Sequence, residues 1–463
     1  WVNNLSPLGI PPIFKQGLIS YKPLDKFSKE FLRLTKPYAF LFVYTIGSIF
    51  EKEACAMKKK TLALLLALLC LSGCGGSARN LTDTVKTTSV DAAQDVEEAD
   101  AAALAEFSLA LLKENWKGEN ILVSPLSVLS ALGMTVNGAK GETLEQMESV
   151  LGLPAENLNA VLSAWAENLP REKNCRVNLA NSLWLRDGGN FQADPEFLST
   201  VKAWYGADIF ASPFDGAALR EINGWVDKNT RGMIPEILDR IPDTAVMYLI
   251  NALALEAEWE QIYRKDQVWD QIFTAGDGTE QPVELMYSGE GLYLRDESAQ
   301  GFLKPYKGGC WAFAALLPEE GVKLEDYLSS LTGERLYEIL SNAEETPVQA
   351  AIPKFQCRYG VNLAESLEAM GMTNTFDPGK ADFSGMGSSP LGPLFVSGVI
   401  HKTFISVDEK GTTAGAATAV QVDAGADAPG AVPVVYLNRP FLYMLVDRET
   451  NLPAFIGLAA SME

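Results

Sequence analysis

Residues Asp408 to Val422 constrain this chain more than any other stretch, because they are composed like a loop and patterned like a strand. The segment reads Asp408-Glu409-Lys410-Gly411-Thr412-Thr413-Ala414-Gly415-Ala416-Ala417-Thr418-Ala419-Val420-Gln421-Val422. From Gly411 onward it holds no charge and no proline. Thr412, Ala414, Ala416, Thr418, Val420 and Val422 are small or β-branched. Their neighbours Thr413, Gly415, Ala417, Ala419 and Gln421 are smaller or more polar. A period of two is the pattern of a strand with one buried face. Composition alone suits a flexible linker just as well. A segment able to be both is what strand insertion into a sheet requires.

The chain is long enough for a large core, with 463 residues of which 47% are hydrophobic. A net charge of −21 argues against nucleic acid, which needs a basic face; solubility accounts for it. Cys55, Cys70, Cys74, Cys175, Cys310 and Cys357 are scattered, with no C-x-x-C pair, so neither a zinc site nor a dense disulfide framework is expected. No cofactor or metal is implied.

His401 is the only imidazole, and no G-x-S-x-G elbow accompanies it, so a hydrolytic triad is not expected. It lies in an apolar strand expected over 396–407, on the side of Val399 and Ile405. Asn251 is likewise a lone polar residue in the apolar run 246–255. Ser124 precedes Pro125 and reads as a helix N-cap, with Ser127 one turn inside. Buried polar groups need partners, so His401 and Asn251 are expected to meet, with one of the serines beside them.

Other elements follow from spacing. Leu104, Phe107, Leu111 and Leu112 mark a first amphipathic helix. Thr143-Leu144-Glu145-Gln146 reads as a capping box. Val177, Leu179, Leu183 and Leu185 alternate as a strand, and Phe455 to Leu458 form a last one. Upstream, Met57-Lys58-Lys59-Lys60 and the apolar run 61–71 form the n- and h-regions of a signal peptide, too short to span a membrane. Leu71-Ser72-Gly73-Cys74 is similar to a bacterial lipobox, in which Cys74 is lipidated. Residues 1–56 are then an upstream extension, 57–73 the signal peptide, 74–99 a disordered tether and 100–463 the folded domain.

The run His401-Lys402-Thr403-Phe404-Ile405-Ser406-Val407-Asp408-Glu409-Lys410-Gly411-Thr412, followed by small residues, resembles the hinge of the serpins, protease inhibitors that insert a cleaved loop into a β-sheet. Several further runs resemble serpin segments in the right order. They are Ile121 to Leu129, Val177 to Leu185, Glu221 to Ile234, Ala351 to Phe355, Leu363 to Met372, Ala381 to Met386 and Tyr436 to Tyr443. Asn251 and Trp259 stand at the family's spacing. The Phe-Lys-Gly usual between them is replaced by Leu255-Glu256-Ala257, which makes the local turn the expected point of departure.

The resemblance implies an α+β fold with three β-sheets, about eight or nine helices and an exposed reactive-centre loop. It implies a monomeric inhibitor, not an enzyme, whose partner is a serine protease held as a covalent acyl complex. Ser124, Ser127, Asn251 and His401 would form the "shutter", and Trp259 and Glu409 the "breach" where insertion begins. Glu409, Gly411, Thr412, Ala414, Gly415, Ala416, Ala417 and Thr418 would form the hinge. About ten new backbone hydrogen bonds at roughly 1 kcal/mol net each would drive insertion, so the intact fold would be a kinetic trap. The cleaved bond is placed at Gly425–Ala426, within the window 423–428, where every residue is small or acidic. Elastase-like or subtilisin-like targets are then expected, outside the cell, with the inhibitor lipid-anchored to a bacterial surface. The alternative is a non-inhibitory serpin-fold binding protein.

Overall fold

The computed structural model describes residues 78–87, 90, 96–189, 191–412 and 432–462, which lie in one compact unit, Gly76–Glu463. Cys74, the hinge positions Ala414, Gly415, Ala416, Ala417 and Thr418, and the bond Gly425–Ala426 lie outside the described residues.

The first amphipathic helix is α1 (Glu98–Asn115), which buries Leu104, Phe107, Leu111 and Leu112. Helix α2 (Pro125–Val136) starts where the Ser-Pro pair directs. Ser124 Oγ accepts the Ser127 N–H at 3.3 Å, and proline occupies the first turn, where its missing N–H costs nothing. Thr143 does not cap a helix. The helix there runs Gly141–Leu151, and the buried Thr143 hydroxyl accepts the backbone N–H of Asp382 at 3.0 Å. Its demand for a partner is met by a distant loop rather than by its own helix end.

The largest sheet contains, in chain order, β1 (Arg79–Asn80), β2 (Cys175–Arg186), β3 (Asp208–Ser212), β4 (Met247–Glu258), β5 (Phe355–Asn362), β6 (Ile400–Val407) and β7 (Gly411–Thr412), with Arg171–Glu172 paired to β2. Their order across the sheet is β1-β3-β2-β4-β7-β6-β5. Strands β2 and β4 form an unbroken antiparallel ladder from Cys175↔Ala257 to Leu185↔Met247. The near-continuous apolar run of β4 has a simple cause: both of its faces are covered. Leu253, Leu255 and Ala257 enter the main core. Ile250 and Ala252 pack in a second cluster with Ile222 and Val226 of α3 (Gly216–Asn229).

A six-stranded sheet ends in Leu452–Ala459 paired with Ile121–Val123, and a four-stranded sheet runs Val434–Tyr436, Val348–Pro353, Glu280–Glu290, Val268–Thr274. A two-stranded ribbon joins Gln192–Ala193 to Gly387–Ser388. Ten α-helices stand among the described residues, against the eight or nine expected; one of the additional short ones is Thr373–Phe376.

Three local expectations are corrected. Leu255-Glu256-Ala257 is not a turn but the end of β4, where Glu256 ion-pairs with Arg231. The strand carrying His401 begins at Ile400, not 396, because Val396 gives its N–H to Thr375 instead. The described part of the expected tether is ordered. Arg79 and Asn80 pair with Ala211 and Phe210 on the edge of the sheet, and Lys202 Nζ donates to the carbonyls of Thr82 and Val85. An exposed sheet edge offers backbone partners to any extended segment.

Candidate functional site

The site is an interruption in the main sheet. Strand β4 has twelve residues, but on its β7 side, among the described residues, only Ala257 and Glu258 are paired, with Thr412 and Gly411. On β6 only Val407 is paired toward β7, also with Thr412. Among the described residues no ladder joins β4 to β6 below that point. Thus, among the described residues, no strand is paired between 247–256 on one side and 400–406 on the other.

At the upper end, the root of the loop is already in the sheet. Thr412 is 1% exposed, and its hydroxyl is bonded to that of Tyr306. Gly411 has φ +155°, and a Cβ there would lie 2.0 Å from the Ala257 carbonyl oxygen, so the close pairing with β4 excludes a side chain. Three donors hold the preceding carbonyls. Trp259 N–H reaches Lys410 O at 2.9 Å, Tyr263 N–H reaches Glu409 O at 2.9 Å, and Trp259 Nε1 reaches Asp408 O at 2.8 Å. Trp259 is fully buried and stacks on Tyr306, centroids 4.6 Å apart and planes 6° off parallel. The Glu409 carboxylate pairs with Lys354 at 2.5 Å, and Lys354 also reaches Glu284 at 3.0 Å. Burial works against both charges, yet their hydrogen bond prevails: Lys354 is pushed above its ordinary value and Glu409 below. Trp259 and Glu409 are thus brought together at the loop root.

At the lower end a cleft of about 510 Å³ opens over α2, lined among others by Ser127, Asn251, Met247 and His401. His401 is 4% exposed and faces the core with Thr403, Ile405 and Val407. Its Nε2 accepts the backbone N–H of Ser124 at 3.0 Å, which requires that nitrogen to be unprotonated. Burial lowers the imidazole to about 4. Ser124 Oγ donates to Ala454 O at 2.8 Å.

The expected bond between His401 and Asn251 is absent. With no ladder between β4 and β6, the two side chains line the same cleft from opposite strands. Asn251 turns instead to its neighbour across the β2–β4 pairing, donating Nδ2 to Asn181 Oδ1 at 2.8 Å. Its own Oδ1 is buried without a partner among the described residues. A buried unpaired acceptor is costly and rare enough to ask what would satisfy it.

Sequence spacing did not single out Tyr306, Asn181 or Lys354. Each acts through a residue more than fifty positions away, and no local pattern carries that. It also missed a buried charged pair beneath Trp259. Lys304 Nζ lies 2.7 Å from Glu290 Oε1. Burial opposes the Lys304 charge, but Tyr263 and Glu290 outweigh it and hold the ammonium above its ordinary value. Among the described residues no group of acidic, histidine or cysteine side chains could hold a metal, and Cys175, Cys310 and Cys357 are free thiols.

A family profile described as "Serpin (serine protease inhibitor)" matches residues 102–461. The chain is 33% identical to the leukocyte elastase inhibitor of Xenopus laevis over 392 residues, covering 78% of this chain and 99% of that protein. The crystal structure of a thermophilic serpin, tengpin, in the native state superposes with a TM-score of 0.78 at 44% identity, covering 83% of this chain and all of that one. Tengpin in the latent state superposes with a TM-score of 0.71 at 40% identity, covering 82% of this chain. An interrupted main sheet, a loop root seated at its mouth and a family profile spanning most of the chain agree: this protein belongs to the serpin family.

Proposed function

We propose that the chain inhibits serine proteases by adding its own cleaved loop to the main sheet as a strand between β4 and β6. One observation carries this: the register of the loop root. Thr412 is paired with Ala257 and with Val407, its side chain toward the core. Continuing that antiparallel register places Ala414 between Leu255 and Ile405, Ala416 between Leu253 and Thr403, and Thr418 between Asn251 and His401. The core-facing set is then the small and β-branched one, and Gly415, Ala417 and Gln421 face outward. The unpaired edge 247–256 has ten positions, and the period-two segment 413–422 has ten. A hydroxyl at Thr418 supplies the donor that Asn251 Oδ1 lacks.

In this mechanism a protease attacks the loop and forms an acyl-enzyme. Cleavage frees the segment after Thr412, insertion adds a strand's worth of hydrogen bonds, and the tethered protease is dragged along. No buried charge opposes it, since 411–422 carry none. Cleavage at Gly425–Ala426, or within 423–428, suits elastase-like or subtilisin-like enzymes. A chain lipidated at Cys74 would present the inhibitor outside the cell, on a bacterial surface. The test is incubation with elastase and with trypsin, followed by denaturing gels and mass spectrometry of the loop. A denaturant-stable complex with elastase and a cut within 423–428 is expected. Preferential trypsin cleavage in this loop, with no complex, would contradict it.

A further inference from the structure

The backbones of the buried charged pair beneath the loop root are paired in two different sheets, Lys304 with Phe313 and Glu290 with Val348, and the side chains join the two sheets. Lys304 lies in strand Ala299–Pro305 of the six-stranded sheet, and Glu290 ends strand Glu280–Glu290 of the four-stranded sheet. Their side chains are 2% and 7% exposed. Glu290 Oε1 also accepts from Ser288 Oγ at 2.5 Å, and Ser288 Oγ lies 3.2 Å from the Tyr263 hydroxyl. Lys304 Nζ stands 4.5 Å from the centroid of the Tyr263 ring and 5.5 Å from that of Trp259. A buried ion pair adds little net stability, because desolvation offsets most of the attraction. It does fix geometry. The ammonium is satisfied only where Glu290 and the two ring faces converge, so those rings are held in turn.

The same two residues supply all three donors to the loop root. Trp259 gives its backbone N–H and Nε1, and Tyr263 gives its backbone N–H, to the carbonyls of Lys410, Asp408 and Glu409. The line of contact therefore runs from Glu290 through Lys304 to Trp259 and Tyr263, and from them to the three residues before Gly411. Glu409 is restrained separately by Lys354, on a partly exposed ion pair. Exposed pairs of that kind are weak restraints.

We propose that the Lys304–Glu290 pair is a positioning element for the hinge: it fixes the 259–263 segment, whose donors hold the loop root at the mouth of the sheet and keep the uncut loop from entering. This rests on the insertion mechanism above. With the pair removed the fold stands, but the root loosens and the intact chain slides into the inserted form without a protease.

The test uses the whole chain and no protease target. Lys304→Met with Glu290→Gln removes both charges at nearly constant volume, so no unpaired charge is left buried. Urea unfolding of the fresh variant checks the fold. The rate at which intact protein, held at elevated temperature, converts to a urea-resistant form is then compared with wild type. The variant should convert about five- to tenfold faster, the factor that loss of one hinge-root hydrogen bond produces. Ser288→Ala keeps both charges but cuts the link to Tyr263; it should accelerate conversion in the same direction by less. It also preserves the test if the double variant does not fold. An unchanged or slower rate in a folded variant overturns the proposal. Wild-type protein nicked in the loop is the control. If nicking brings no urea resistance, the insertion mechanism itself has failed, and this proposal with it.

Discussion

His401 Nε2 accepts the backbone N–H of Ser124 at 3.0 Å, joining β6 to the start of α2 across 277 positions of sequence. Protonation would remove that acceptor. Burial holds the imidazole at about 4, against an ordinary 6.5. The unfolded chain therefore binds a proton at His401 before the native protein does. The stabilisation is complete above about pH 6.5 and is lost as pH falls toward 4, amounting to roughly 2 kcal/mol by pH 4.5. Asp447 works the other way: burial raises its carboxyl to about 6, so its contribution grows as pH falls through that value. Comparison with His401→Gln isolates the histidine. Urea midpoints at pH 7 and pH 4.5 should show the larger acid loss in wild type; equal losses would remove His401 from the account.

How much of this was legible follows from which interactions are local. The cap at Ser124 and the strands β2, β4 and β6 come from neighbouring residues, and spacing shows them. The burial of His401 was legible because a lone imidazole in an apolar strand leaves few roles. Its partner was not. Asn251 was expected to face it, but the open gap between β4 and β6 sends Asn251 to Asn181. Thr143 had the spacing of a cap and serves a loop near Asp382 instead. The pairs Lys304–Glu290 and Lys354–Glu409 join elements that meet only in the folded sheets, and no period records them.

Gly411 is expected to tolerate no side chain. The Cβ of Gly411→Ala would press on the Ala257 carbonyl at 2.0 Å. The β7 pairing must shift or break, costing roughly 1–3 kcal/mol. A lowered urea midpoint for the intact protein checks this, and an unchanged midpoint would show that the root is not seated as described.

Thr412→Arg should turn an inhibitor into a substrate. Thr412 is 1% exposed and bonded to Tyr306, so a guanidinium there would be buried without a carboxylate partner. The root is expelled, insertion slows, and deacylation wins. Gels should show a cut loop and free protease. A persistent denaturant-stable complex would contradict the insertion mechanism.

Thr418→Ala separates the two states of the sheet. Continued on the register of β7, the proposed insertion would bring Thr418 to Asn251 and His401. The nicked variant should lose about 1 kcal/mol against nicked wild type, the net value of one buried hydrogen bond, while the intact variant unfolds as wild type does. Equal effects on both forms would show that Thr418 does not occupy that place.

The gap between β4 and β6 is the centre of the account, and one comparison addresses it directly. The loop is nicked once by a protease, and the melting temperatures of nicked and untouched protein are measured side by side. A strand gained from 413–422 should raise the nicked protein's melting temperature by tens of degrees, since about ten added hydrogen bonds far exceed the 1 kcal/mol that shifts a melt by a few degrees. A nicked protein that melts at or below the untouched one would mean that the sheet has no place for the loop.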